Sequence, residues 1–338
     1  MRESITVSVC MIVKNEEKVL ARCLDSLKGL YEELIIVDTG STDSTKEIAA
    51  GYTDKIYDFA WTGSFSDARN FSFSKATMEY IYSADADEIL NEENRQKFLE
   101  LKQCLLPEIE IVQMIYTNQL EFNTTYNYDE ELRPKLYKRL RTFEWVEPLH
   151  EQVRLEPVVY DSEIKIIHAP ENNHSKRDFS CYRKLIESGE KLSKHLFEMY
   201  VRELYIAGDE SDFIEAEPYF SREIEIRESV DEVVKAALVL IRAAGYQRNT
   251  PCLLKYSSRI FALAAEPSAG VSIPSELCYE LGEYYLGVND KAEAKMWFTN
   301  ALTETESLVS LDCGDKLPKE RLKEPVSYTH LTLPTNRE

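Results

Sequence analysis

Apolar and polar positions follow one another in two rhythms along the first half of the chain. Thr6 to Val13 is an almost unbroken apolar and β-branched run, the pattern of a parallel strand buried on both faces. After Asn15-Glu16, the positions Val19, Leu20, Cys23, Leu24 and Leu27 recur at helical spacing, and Gly29 supplies the stop. A second buried strand over Leu34 to Val37 leads into the turn Asp38-Thr39-Gly40-Ser41-Thr42-Asp43, where Ser44 or Asp43 caps a helix reaching about Ala50. Lys55 to Phe59 predicts a third strand, and Phe65 to Ala76 a helix with Arg69 and Asn70 in its early turns. Tyr80 to Leu90 is an apolar run broken by Asp85-Ala86-Asp87. A helix from about Glu92 to Leu105 and a fifth strand over Glu110 to Tyr116 come next. Farther on, Lys135 to Arg139 and Ile164 to Ile167 predict strands that flank an irregular segment containing Trp145-Val146-Glu147-Pro148-Leu149-His150-Glu151. Strand and helix repeated in this way define a doubly wound α/β fold.

The rhythm changes after about Asn173. To Thr303 the chain reads as helical, with Gly, Pro and Asp at the breaks. Two stretches share a pattern: Met199 to Ile224, with Tyr200, Leu204, Tyr205, Gly208, Ala216, Tyr219 and Phe220; and Cys278 to Leu302, with Leu281, Gly282, Tyr285, Ala294, Trp297, Phe298 and Ala301. Each predicts a helical hairpin that buries its face by stacking, as in tetratricopeptide arrays. Pro325 to Glu338 shares nothing with what precedes it. Its run Val326 to Asn336 resembles a vector- or adapter-derived translation and is set aside as non-native, His330 with it. The expected organisation is an α/β domain over 1-172, helical hairpins over 173-312 and the foreign tail over 325-338.

Charge narrows the choice of partners. A formal net charge of -20 argues against a nucleic-acid backbone or an anionic membrane, both of which need clustered Lys and Arg. A phosphate-bearing substrate then requires a metal or a local basic pocket. Seven cysteines with no Cys-x-x-Cys pair fit reduced thiols, and Cys10 and Cys23 fall within apolar patterns as small core residues. No apolar run reaches the ~18 residues of a transmembrane segment. The expectation is a soluble, cytoplasmic protein.

Four polar clusters end four successive elements: Asn15-Glu16, Asp38 to Asp43, Asp67 to Asn70, and Asp85 to Asp87. In a parallel sheet with right-handed crossovers these ends share one edge. On an extended backbone, Asp85 and Asp87 point the same way and repel unless a cation or a shared proton lies between them. Oxygen ligands of this kind suit Mg2+ or Mn2+ completed by substrate phosphates; the plainer reading is that both acids cap the next helix. A cleft with such acids and an Arg at a helix start suits a nucleoside diphosphate. Neither a Gly-x-Gly-x-x-Gly dinucleotide turn nor a Gly-Lys-Ser/Thr phosphate loop is present.

Taken together, Val7 to Glu17, Ile35 to Asp43, Ala68-Arg69-Asn70 and Asp85-Ala86-Asp87 strongly resemble the family 2 glycosyltransferases with the GT-A fold. Leu149-His150-Glu151 and the helical repeats are similar to a bacterial subgroup fused to tetratricopeptide-like hairpins. The resemblance implies a GT-A mixed sheet and a metal-dependent, inverting transferase using a nucleotide-sugar donor, a UDP-sugar first. Its acceptor is a glycan, lipid-linked saccharide or peptide, and the hairpins hold the acceptor or a partner protein. The implied donor-binding set is Asn15, Glu16, Asp38, Ser41, Arg69, Asn70 and Asp85. Within it, Glu16 and Asp38 serve the nucleoside, Arg69 the pyrophosphate, and Asp85 with Asp87 the ribose and metal. Thr39 stands where many members carry a second acid, which leaves the usual uracil contact open.

Glu151 is the expected catalytic base, ahead of Glu147, against the reading that it only orients a loop or pairs with an Arg. His150 supports Glu151 or packs beside Trp145. His168, after the strand, is a third metal ligand or a structural histidine. His174 and His195 read as surface residues, Trp61 as cleft or core, and the Tyr-rich stretch Tyr116 to Tyr128 as an acceptor loop or an aromatic edge. The alternative from a different class is a non-catalytic scaffold whose sheet domain is a relic. A nucleotidyltransferase lacks the basic loop it would need near the first strand.

Overall fold

A computed structural model describes residues 4–117, 130–141, 145–146, 152–153, 156–169, 175–189 and 191–323. The chain forms two compact units, with the division between 173 and 174. The first is built on an eight-stranded mixed sheet and the second is helical.

The strands of the sheet are β1 (Val7–Val13), β2 (Glu33–Asp38), β3 (Ile56–Asp58), β4 (Tyr80–Ala84), β5 (Glu88–Ile89), β6 (Ile111–Thr117), β7 (Glu130–Lys138) and, after the small separate pair β8 (Trp145–Val146) and β9 (Gln152–Val153), β10 (Val159–His168). Their order is β3-β2-β1-β4-β7-β6-β10-β5. The first four are parallel, β7 lies antiparallel between β4 and β6, and β5 pairs antiparallel with β10. Alternation along β1 decides which side chain meets which layer. Val7, Val9, Met11 and Val13 face α1 (Leu20–Leu27) and α4 (Glu92–Cys104) in one core. Cys10, with Ile35, Val37 and Ile81, packs on the other face beneath Phe71 and Phe73 of α3 (Phe65–Ser74). The cysteines expected as core residues are buried and unpaired.

Local chemistry sets the ends. Gly29 takes φ +80 after α1, a conformation glycine alone adopts readily. Asp43, rather than Ser44, does the capping at α2 (Thr45–Ala50): its Oδ1 accepts the Thr45 N–H at 3.0 Å, while Ser44 makes no side-chain cap bond. Ser64 accepts the Asp67 N–H at the start of α3, and Asn91 that of Asn94 at the start of α4. The cap of α4 is therefore Asn91, which removes the reading of Asp85 and Asp87 as caps.

Two expectations need correction. Lys135 to Arg139 is only the end of β7, which begins at Glu130, because its first half carries Glu130, Glu131, Arg133 and Pro134 instead of apolar residues. Pro134, which has no N–H, sits where the β6 register shifts: Val112 faces Leu136 while Gln113 faces Pro134, so Lys135 is the extra, bulged residue. Second, Asp85-Ala86-Asp87 is not extended. β4 stops at Ala84, and the Glu88 N–H returns to the Asp85 carbonyl at 3.1 Å, closing a turn into β5.

In the helical unit α5 (Ser175–Glu187) precedes α6 (Lys194–Ala207), α7 (Glu210–Ile226), α8 (Val230–Tyr246), α9 (Thr250–Ala264), α10 (Ser275–Gly287), α11 (Lys291–Thr303), α12 (Leu311–Gly314) and α13 (Lys316–Lys323). Both patterned stretches are helix pairs, packed by different means. Rings separate α6 from α7, with Phe197 and Tyr200 at 5.5 and 5.3 Å from Phe220. In the second pair a small residue lets the helices close: Gly282 lies against the Phe298 ring. Gly208, its apparent counterpart, instead ends α6, so the two patterns are not superposable repeats. α8 is apolar on nearly every side and forms the centre of this unit. The helices continue past 312 to Lys323. There the fully buried Glu276 accepts the N–H groups of Leu308, Val309 and Ser310 at 3.0, 2.6 and 2.7 Å and fixes the turn before α12.

A methyl group at position 282 would overlap the Phe298 ring. Gly282→Ala is expected to destabilise the helical unit by about 1–3 kcal/mol in urea denaturation, and adding Phe298→Leu should recover part of that loss. An additive double variant would show that the two side chains do not compete for the same space.

Candidate active site

Strands β2, β1 and β4 end side by side, with Val13 opposite Asp38 and Met11 opposite Ala84. Asp38, only 3% exposed, turns its carboxylate onto the N–H groups of Gly40 and Ser41, each at 3.0 Å. Gly40 adopts φ +101 there, which a side chain would resist. The next loop is laced to it. Ser41 Oγ accepts the Asn15 N–H at 2.9 Å, Asn15 Oδ1 accepts the Thr42 N–H at 2.8 Å, and Thr45 Oγ1 accepts the Glu16 N–H at 2.7 Å. Asn15, Glu16, Asp38 and Ser41 are thus brought together as one polar rim. Thr39 is buried, with its hydroxyl on the Val13 carbonyl at 3.1 Å, so it offers the rim nothing in place of a second acid.

Beyond β4 the turn carries Asp85, Asp87 and Glu88, and each acid has its own partner. Asp85 Oδ1 pairs with Arg69 Nη2 at 3.2 Å and Oδ2 with Lys135 Nζ at 3.3 Å. Arg69 also donates to Ser83 Oγ, so both of its Nη atoms are engaged, one by Asp85 and one by Ser83. Asn70, one residue on, is exposed. Glu88 is 3% exposed and pairs with Lys135, itself 7% exposed along its side chain. Asp87 Oδ2 meets His168 Nε2 at 3.0 Å.

The β5·β10 pairing sets this last contact, placing His168 opposite Glu88, and the Ala169 N–H then binds the Asp87 carbonyl at 2.9 Å. Arg22 on α1 holds the Ala169 carbonyl at 2.5 Å, and Cys23 Sγ donates to the Asp85 carbonyl at 3.4 Å. Next to His168 lies the buried Tyr116, with ring centroids 5.3 Å apart, and the Arg133 guanidinium sits 4.1 Å over the Tyr116 ring.

Electrostatics separates the acids. Burial works to raise the pKa of Asp85, but Lys135 and Arg69 outweigh it and hold the carboxyl down at about 2. For Glu88 burial dominates; Lys135 opposes it, Asp85 adds to it, and the carboxyl is pushed up to about 7. Desolvation alone would depress Lys135, but Asp85 and Glu88 raise it, so it stays an ammonium. The cations beside Asp85 are Lys135 and Arg69, and neither lies between it and Asp87, which turns to His168.

Among the described residues no group of three His, Cys, Asp or Glu side chains is arranged to hold a metal ion. Asp87 and His168 nevertheless present one oxygen and one nitrogen together, at the edge where a substrate phosphate would lie. Mg2+ and Mn2+ accept such a partial shell, completed by water and phosphate oxygens. Glu151, Glu147, His150 and His174 lie outside the described residues, as does most of the Tyr116 to Tyr128 stretch. His195 is exposed, and Trp61 is half-buried against Phe65, with ring centroids 4.8 Å apart.

Glu88, Lys135 and Arg133 were missed in the sequence reading. Glu88 is the third acid of its run, and a lone Lys after a Pro inside a strand signalled a bulge that turns a charge inward.

A mixed sheet of this order, with its acids at the carboxyl edge and a helical region after it, is the GT-A fold class expected from the sequence. Residues 8–154, most of the sheet unit, match the family model described as Glycosyl transferase family 2. A TPR repeat-containing protein of Synechococcus elongatus is 46% identical over 84 residues, 25% of this chain and 21% of that one. The prophage-derived glycosyltransferase SunS of Bacillus subtilis is 26% identical over 265 residues, 71% of this chain and 60% of its own. The chain thus spans less than two thirds of either relative. Among solved structures, glucosyl-3-phosphoglycerate synthase of Mycobacterium tuberculosis, crystallised with Mg2+ and UDP, aligns at 17% identity with a TM-score of 0.37, over 56% of this chain and 81% of that one.

Glu88 gives a signed pH dependence. Its folded pKa of about 7 lies above the ordinary 4.5, so the stability it contributes is complete below pH 4.5 and is lost as pH rises through 7. Relative to Glu88→Gln, the wild type should lose on the order of 3 kcal/mol of unfolding free energy between those limits, read by urea denaturation across pH. Parallel pH profiles for the two proteins would refute the assignment.

Proposed function

We propose that the chain is a metal-dependent, inverting glycosyltransferase that moves a sugar from a nucleotide-sugar donor to a hydroxyl of a glycan, a lipid-linked saccharide or a peptide. The observation that carries this reading is the arrangement of strand ends: the Asn15–Asp38–Ser41 rim and the Arg69–Asp85 pair stand where the adjacent strands β2, β1 and β4 end, and the Asp87–His168 pair joins the turn after β4 to the end of β10. The family match supports a sugar-transfer chemistry on that edge.

In this proposal the rim around Asp38 receives the nucleoside, with Glu16 and Asn15 beside it, and a UDP-sugar is the first donor to test. Asp85, kept ionised by Lys135 and Arg69, accepts hydroxyl hydrogen bonds from the ribose. Asp87 and His168 are the side chains that would hold Mg2+ or Mn2+, which when bound acts as a Lewis acid on the charge building up in the departing diphosphate. Inversion by direct displacement needs a base on the acceptor side. We assign it to Glu151, with Glu147 the alternative, taking the acceptor hydroxyl proton onto a carboxylate oxygen.

The domain limits 1-172 and 173-312 and the foreign tail 325-338 belong to the same proposal, as do a cytoplasmic setting and an acceptor or protein partner on the helical unit. No described helix is long and apolar enough to cross a membrane.

A panel of nucleotide sugars incubated with Mn2+ tests the reading. Asp87→Ala should lower metal-dependent hydrolysis or transfer by about 10²-fold or more with the circular dichroism unchanged. Glu151→Gln should abolish transfer while nucleotide binding persists. Full turnover by Asp87→Ala would remove the Asp87–His168 pair from the mechanism.

A further inference from the structure

We infer that Arg133 is the side chain that binds the diphosphate of the donor, beside the Asp87–His168 pair. The inference rests on the donor-binding reading above and adds a residue to it. A diphosphate entering an edge that already holds Asp38, Asp85, Asp87 and Glu88 needs positive charge. Two cations beside the turn already have their donors engaged: both Arg69 Nη atoms, by Asp85 and Ser83, and the buried Lys135 Nζ, by Asp85 and Glu88. Arg133 is different. Its Nε and Nη2 both reach Glu131 Oε2 at 3.0 Å, in a pair whose side chains are 38% and 45% exposed. Such a pair contributes little and yields readily to a stronger anion. Among the described residues its Nη1 has no hydrogen-bond or ion-pair partner.

Its placement is fixed by packing. The guanidinium rests 4.1 Å over the ring of Tyr116, which is 4% exposed, and that ring stands 5.3 Å from the imidazole of His168. Stacking on a buried aromatic holds the planar fork with little freedom left to lose on binding. A guanidinium so held can meet phosphate oxygens with paired N–H donors, geometry an ammonium does not offer. Because β7 runs antiparallel to β4, its first residues arrive at the edge where β4 ends, which brings a residue remote in sequence beside the Asp85–Glu88 turn.

Titration calorimetry with UDP, GDP, ADP and dTDP in Mn2+, each paired with its free nucleoside, tests this. For the tightest diphosphate, Arg133→Ala should weaken binding about 10- to 100-fold and leave the nucleoside unchanged, and Arg133→Lys should recover only part of the loss. Wild-type diphosphate affinity in Arg133→Ala overturns the role of Arg133 and leaves the donor site standing. A wild type that binds none of the four diphosphates overturns the donor reading and this inference with it.

Discussion

Three carboxylates within four residues of one turn is an arrangement that a folded chain does not tolerate unless each charge is answered. At a separation of about 4 Å two like charges repel by several kcal/mol in a partly buried setting. Here each of the three acids is answered: Asp85 by Arg69 and Lys135, Asp87 by His168, and Glu88 by the same Lys135. Lys135 does the most, because its ammonium is taken from water to lie between two acids. Removing such a partner and leaving a buried ion uncompensated costs about 3–5 kcal/mol. Glu88 can relieve part of that by taking up a proton, and its pKa of about 7 places it near that choice already.

The topology follows from the same need. A parallel sheet alone would bring strand ends to this edge but no cation from the second half of the domain. Inserting β7 antiparallel between β4 and β6 delivers Arg133 and Lys135, and the bulge turns Lys135 inward beside Asp85. The short β5 then returns the chain along β10 and fixes His168 over Asp87. The opposite edge shows that a buried acid is not by itself a site. Glu33 is also held down, to about 2, with burial opposed by Lys55, Ser8 and Thr77. Its side chain is 1% exposed, whereas Asp85 and Arg69 keep 41% and 39%. The first closes a seam; the second lies half-open at the carboxyl edge of the sheet.

This contrast explains what the sequence made legible. β1, β2, β4 and α1 carry dense apolar patterns and were placed to within a few residues, and the polar ends Asn15, Asp38 and Asp85 followed from strand order. The first half of β7 escaped because it is charged and Pro134 interrupts it, and β5 is too short to show any period. Pairings such as Asp87 with His168 or Glu88 with Lys135 join positions 81 and 47 residues apart, and no local pattern encodes them. The turn at Asp85 was misread as strand because the apolar run continues through Ala86, Ile89 and Leu90. Ala86 and Leu90 are buried and Ile89 is half-buried, while the backbone between them reverses.

The helical unit uses buried charge in another way. Arg227, 5% exposed, is enclosed by Glu223, Glu232 and the Phe197 ring, and Arg242 by Glu280, Cys313 Sγ and the Tyr205 ring. Each guanidinium crosses between helices and finds its partners there, so these ions specify how helices meet and leave no open valence for a ligand. Glu276, with its three backbone N–H donors, is equally closed. The sheet unit differs, because it keeps half-exposed ions such as Arg69 with Asp85. By this physical criterion the half-open ions lie on the sheet edge, while the buried ions of the helices are closed by their own packing.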